Sequence, residues 1–200
     1  MLIRLVSGWR RYRVDGRGAA AVEFALMVTL LTVPLLNVID AGFYVYYRMA
    51  LDNAAQTGAT AALAACGRSA SLPATVGTNC SALMPAIDAA VQSTWLGTKI
   101  GLPTVYTTSA PASNVASVVE YYYCVKSTSG TSSNAALVQV GLVAKTAKPA
   151  NCIAYGGSAN DAAGDYIQVT LTYSFTPVIP GLSIVSGMSP IVRTAYLRLG

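Results

Sequence analysis

Three sets of residues have the types and spacing to do chemistry. A carboxylate, Glu23, stands just inside a long apolar run. Four cysteines, Cys66, Cys80, Cys124 and Cys152, follow it, and Asn160, Asp161 and Asp165 cluster oxygen donors near the end. None of these makes a catalytic set. With no histidine in the chain, general acid–base work falls to carboxylates, and the seven beyond residue 18 are scattered, with no pair placed for catalysis. No phosphate-cradling GxxxxGK[ST] is present. The chain therefore reads as a non-enzyme without a cofactor. Asn160, Asp161 and Asp165 could ligate calcium through oxygen. Their spacing is not that of an EF-hand, so a solvated turn before the next strand is the plainer reading. Zinc would want histidines or CxxC spacing, and both are missing. The cysteines are read instead as disulfides. Of the three pairings open to four cysteines, neighbours (Cys66 with Cys80, Cys124 with Cys152) are expected, because each pair closes a turn-rich segment.

What must position Glu23 is the run AAAVEFALMVTLLTVPLLNVI, residues 19–39. Twenty-one helical residues reach about 31 Å, the thickness of a bilayer's hydrocarbon core. Pro34 is tolerable inside a membrane helix. Before the run, residues 1–18 hold Arg4, Arg10, Arg11, Arg13 and Arg17 against Asp15. Five of the thirteen basic residues thus lie at one end, and the rest of the chain is nearly neutral. This is the positive-inside arrangement, which puts the N-terminus in the cytoplasm. A nucleic-acid-binding domain would instead spread its basic residues over the folded part. Composition agrees, with 54% hydrophobic and 10% charged residues, against about 25% charged in ordinary domains. A charge inside lipid is costly. Glu23 is therefore either held at the headgroup level or matched by a partner. A cleaved secretory signal is the rival for the run, but Asp40-Ala41-Gly42 is a poor cleavage site, followed at once by Phe43, Tyr44, Tyr46 and Tyr47. Those aromatics read as an interfacial belt, and Asp40 as a charge at the exit side of the membrane.

Residues 41–66 continue the helical pattern. They are alanine-rich and lack proline, with Tyr44, Tyr47, Leu51, Ala55 and Gly58 in steps of three and four. Gly67 suits the helix end. A short helix is expected at 85–96, with Pro85 in its first turn, and strands at 118–126, 137–144, 166–175 and 191–199. In 166–175, Ile167, Val169, Leu171, Tyr173 and Phe175 alternate with polar residues. No crossover helix separates these strands, which favours an antiparallel sheet. Residues 127–134 read as a loop, and the two prolines of 176–183 part the last strands. The fold class is α+β. It comprises a leader (1–18), a transmembrane helix (19–40), its exported continuation (41–66) and an exported domain with an antiparallel sheet (67–200).

A basic leader ending in glycine, with glutamate five residues into an apolar helix, resembles the processing site of type IV prepilins. Here Gly18 precedes the cut, Ala19 becomes the first residue, and Glu23 and Phe24 become the fifth and sixth. The string from Gly18-Ala19-Ala20-Ala21-Val22-Glu23-Phe24 through Pro34-Leu35-Leu36, Asp40, Gly42 and Tyr47…Leu51…Asn53-Ala54-Ala55 resembles the TadE-like family. These are minor pseudopilins of the Tad, or Flp, adhesion pilus. Residues 165–183 resemble the carboxyl-terminal strand and proline turn of such proteins. Phe24, where the major Flp pilin often has tyrosine, and the large exported part both favour a minor component. The resemblance implies a pilin-like chain in the bacterial inner membrane, its domain in the periplasm. Its partners would be a prepilin peptidase, other pilins and pseudopilins, and the inner-membrane assembly platform. An unprocessed signal-anchored binding protein and a secreted protein with a cleaved signal remain the alternatives.

Overall fold

The computed structural model describes residues 16–76, 79–107, 109–126 and 136–200. The leader arginines Arg4, Arg10, Arg11 and Arg13 and the loop expected at 127–134 lie outside the described residues.

Helix α1, Gly16–Cys66, is unbroken through Pro34, as the alanine-rich, glycine-ended sequence predicts. It ends where the Gly67 N–H donates to Leu63 O at 2.8 Å. A Cβ on Gly67 would come 2.6 Å from that same carbonyl, so the turn admits only glycine there. Helix α2, Leu83–Gln92, starts two residues before the expected Pro85 and stops short of residue 96. Pro85 still falls in its first turn, where a missing N–H costs nothing.

The strands are β1 (Thr104–Val105), β2 (Ser117–Lys126), β3 (Ala136–Leu142), β4 (Gly164–Tyr173) and β5 (Ile191–Arg198). One edge of β2 is shared, with β1 along Ser117–Val118 and β3 along Tyr121–Lys126. Its other edge pairs with β4, and β4 with β5, both antiparallel. The β1–β2 pair is parallel, a departure from the all-antiparallel expectation. Two residues of parallel pairing need no crossover helix.

Chain contacts divide the molecule into two compact units. One holds α1 up to Tyr44 together with Thr176–Gly187, and the other holds Val45–Phe175 with Met188–Gly200. In the second unit the α1 face of Leu51, Ala54, Ala55, Ala59 and Ala62 is buried. Small side chains there let the backbone approach closely. A Cβ on Gly58 would meet Val91 at 3.0 Å, Ile87 at 3.4 Å and Val169 at 3.6 Å, so α1 packs on both α2 and β4 at this point. The alternation expected in β4 is present, with Ile167, Val169 and Leu171 buried. Strand β2 is buried on both faces from Ser117 to Tyr122, which explains why VVEYYYC lacks a polar face.

Two disulfides close this unit. Cys66–Cys80 ties the end of α1 to the turn before α2, and Cys124–Cys152 ties β2 to the turn at Ile153–Tyr155. The second sits in a small core with Tyr122, Val143 and Ala163. Part of the expected aromatic belt is engaged within the protein. Tyr47 stacks on Tyr173 with centroids 4.9 Å apart and also meets Phe175 and Trp95, while Tyr46 meets Trp95 edge-on at 5.1 Å.

Candidate functional site

Gly18, Ala19, Glu23 and Phe24 lie within two turns of one another in α1. The backbone around the Gly18–Ala19 bond is helical, and among the described residues a Cβ on Gly18 would have no neighbour within 4 Å. Unwinding this turn costs little. Glycine is about 1 kcal/mol poorer than alanine as a helix former. Ala19 and Glu23 are four residues apart, hence on one face and one turn from each other. Glu23 is exposed, and Phe24 is 71% exposed beside it.

The run beyond them is built for an apolar solvent. Its most apolar 18-residue window has a mean hydropathy of 2.1 and none of it is buried. Val22, Leu26, Met27, Leu30, Leu31 and Leu35 all point outward. An apolar surface of this extent is not left to water. Its Thr29, Thr32 and Asn37 side chains are also satisfied internally. Thr29 donates to Ala25 O and Leu26 O, and Thr32 to Val28 O at 2.7 Å. Asn37 uses its amide for Val33 O at 2.9 Å and its oxygen to accept from Ile184 N at 2.8 Å. In hydrocarbon every such group needs a partner.

Asp40 departs from the sequence reading. It is buried rather than a surface charge, and its Oδ1 accepts from Val178 N at 2.8 Å. The oxygen donors near the C-terminus have partners within the protein. Asp165 turns to Lys148 at 2.6 Å, Asp161 accepts from Ser158 N at 2.9 Å, and the Asn160 N–H donates to Ser158 Oγ. Among the described residues no three His, Cys, Asp or Glu side chains gather as a metal site. Sequence reasoning also passed over Glu120, which is buried in β2 and accepts from Ala74 N, Thr75 N and Thr75 Oγ1. Its only signal was a lone acid among apolar and aromatic neighbours.

These features define a class: a chain with, among the described residues, one membrane-length helix near the N-terminus, whose second half packs with a small disulfide-closed sheet. Within it, residues 18–60 match the family model described as TadE-like protein. The match opens on Gly18 and takes in the whole apolar run, so this segment is similar to TadE-like proteins over the residues that carried the resemblance. The sheet lies outside the matched residues. No curated protein and no solved structure matches the chain.

Proposed function

We propose that this protein is a prepilin-like, membrane-anchored minor pseudopilin that takes part in assembling a Tad/Flp-type adhesion pilus, in a structural rather than an enzymatic role. The observation that carries this reading is the TadE-like match beginning at the glycine that precedes the expected cut. In this reading residues 19–39 span the inner membrane with the leader in the cytoplasm and the sheet in the periplasm, where the two disulfides form and persist.

A prepilin peptidase cuts between Gly18 and Ala19. Glycine suits the position before the bond because, without a Cβ, the backbone can approach catalytic carboxylates closely. The cut removes five of the thirteen basic residues and creates a cationic amino group on Ala19. Glu23, one turn along the same face, supplies the matching charge, either within the chain or to a neighbouring pilin. An uncompensated charge in a low-dielectric setting is strongly disfavoured, so this pairing selects register as subunits enter the assembly. Ala19, Ala20 and Ala21 let helices pack closely around it.

Retention of the helix, rather than its loss with a signal peptide, is supported by Asn37 and Asp40. Both hold the 176–187 segment, so a cut near residue 40 would strip that segment of its anchors. The test is the N-terminal residue of the protein isolated from native membranes, with Gly18→Ala beside it. A start at Ala19 that is lost in the variant supports the reading. An intact Met1 in both makes the chain a signal-anchored protein, and a start beyond residue 40 makes it a secreted one.

A further inference from the structure

The 176–187 segment plays no part in processing, yet its chemistry sets it apart. TPVIPGLSIVSG and the following Met188-Ser189-Pro190 contain no charged residue. The segment belongs to the same compact unit as the first part of α1. Two side chains from the last turn of the apolar run hold it, Asn37 at Ile184 N and Asp40 at Val178 N, both at 2.8 Å.

Its own backbone is closed. Pro180 and Gly181 form the centre of a turn in which Leu182 N donates to Ile179 O at 3.2 Å, and Gly181 has φ +86°, which favours glycine. Ser183 N donates to the same carbonyl, Ser186 N to Ser183 O, and Val185 N to Ser183 Oγ. Pro177 and Pro180 have no N–H to satisfy. With these six N–H groups paired, at 178 and 182–186, the segment presents Val178 at 58%, Leu182 at 66% and Ile184 at 71% exposure. Exposed apolar side chains, paired backbone N–H groups and no charge suit a segment that lies at the membrane interface.

We propose that this segment is a second membrane contact. It lies at the boundary between hydrocarbon and headgroups in the leaflet where α1 emerges, with Val178, Leu182 and Ile184 in lipid. The level follows from its anchors. At 1.5 Å per residue, Asn37 lies about 3 Å inside the end of the 19–39 run and Asp40 at its edge. Interfacial segments bury their apolar side about 5–10 Å deep. Lipid is favoured over a protein partner because the segment is hydrogen-bonded to the membrane-length helix itself and offers no charge for a partner to read. The inference rests on residues 19–39 crossing the bilayer.

The experiment uses the full chain, disulfides intact, in phosphatidylcholine–phosphatidylglycerol vesicles. Single added cysteines at Leu182→Cys, Ile184→Cys, Leu30→Cys and Ile153→Cys carry an environment-sensitive fluorophore, read with lipids spin-labelled at shallow or deep acyl positions. Labels at 182 and 184 are expected to emit to the blue of the label at 153. They should be quenched roughly twofold more by the shallow than by the deep lipid, as an interfacial depth requires, with the label at 30 showing the opposite order. Labels at 182 and 184 that behave like the one at 153, while 30 remains quenched, overturn the proposal and leave the span intact. That result would keep the segment for water or a protein. A label at 30 that no lipid quenches overturns the span and the proposal together.

Discussion

Glu120 offers the sharpest test of what holds the sheet unit together. Its side chain is 1% exposed. One oxygen accepts from Ala74 N at 3.1 Å, and the other accepts from Thr75 N and Thr75 Oγ1, both at 2.8 Å. Three donors from one segment thus converge on a single carboxylate, and that segment lies inside the loop closed by Cys66–Cys80. Thr75→Val removes one donor without changing shape and should cost about 1.5–3 kcal/mol, the worth of a hydrogen bond to a charged group. Glu120→Gln keeps the other contacts but turns an NH2 toward a buried N–H, so about 2–3 kcal/mol is expected. Glu120→Ala orphans two backbone N–H groups and a hydroxyl and leaves a cavity. The loss should be about 3–5 kcal/mol, less than a plain sum because water can enter the vacated space. Against a total stability of about 5–15 kcal/mol, the alanine variant should be partly unfolded in mild denaturant. Urea unfolding in detergent, followed by tyrosine circular dichroism, reads all three. A cost below about 1 kcal/mol for Glu120→Ala, or a larger loss for Thr75→Val than for Glu120→Ala, would refute the reasoning.

Two further outcomes follow from packing and charge. Gly58→Val should lower stability by about 2–3 kcal/mol, since even a Cβ there meets Val91 at 3.0 Å; a thermal melt equal to wild type would contradict the tight α1–α2–β4 contact. Asp88 on α2 has its carboxyl pKa raised by desolvation, and among the described residues its buried Oδ1 has no hydrogen-bond partner. An acid whose folded pKa is raised costs stability above that pKa and none once protonated in both states. Asp88→Asn should therefore stabilise the protein at neutral pH, with the gain vanishing as pH falls below the normal aspartate range. A gain that persists at low pH would assign the effect to something other than charge burial.

Much of this was legible because it is local. The run of alanines from 54 to 65 and the three- and four-residue steps through Leu51 and Gly58 depend only on neighbours along one helix. The alternation of Ile167, Val169 and Leu171 likewise depends only on the pleat. The roles of Asp40 and Glu120 were not legible for the converse reason. Asp40 meets Val178 across 138 residues, and Glu120 meets Thr75 across 45. An acid at the end of an apolar run, or alone within a strand, looks the same in sequence whether it faces water or caps a distant backbone. The β1–β2 pairing was missed because two residues carry no periodicity. Asn160, Asp161 and Asp165 read as a turn with oxygen donors, and the Lys148 contact to Asp165 was not legible because it spans 17 residues.

The central claim is that the chain is processed at Gly18, and Gly18→Ala tests it cleanly. Among the described residues the added methyl would have no neighbour within 4 Å, and alanine favours the helix, so the substitution leaves the packing of the described fold alone. The measurement is the intact mass and N-terminal sequence of wild type and Gly18→Ala from native membranes. The account predicts a wild-type chain beginning at Ala19 and a variant that retains Met1. Met1 at the head of both chains would contradict it.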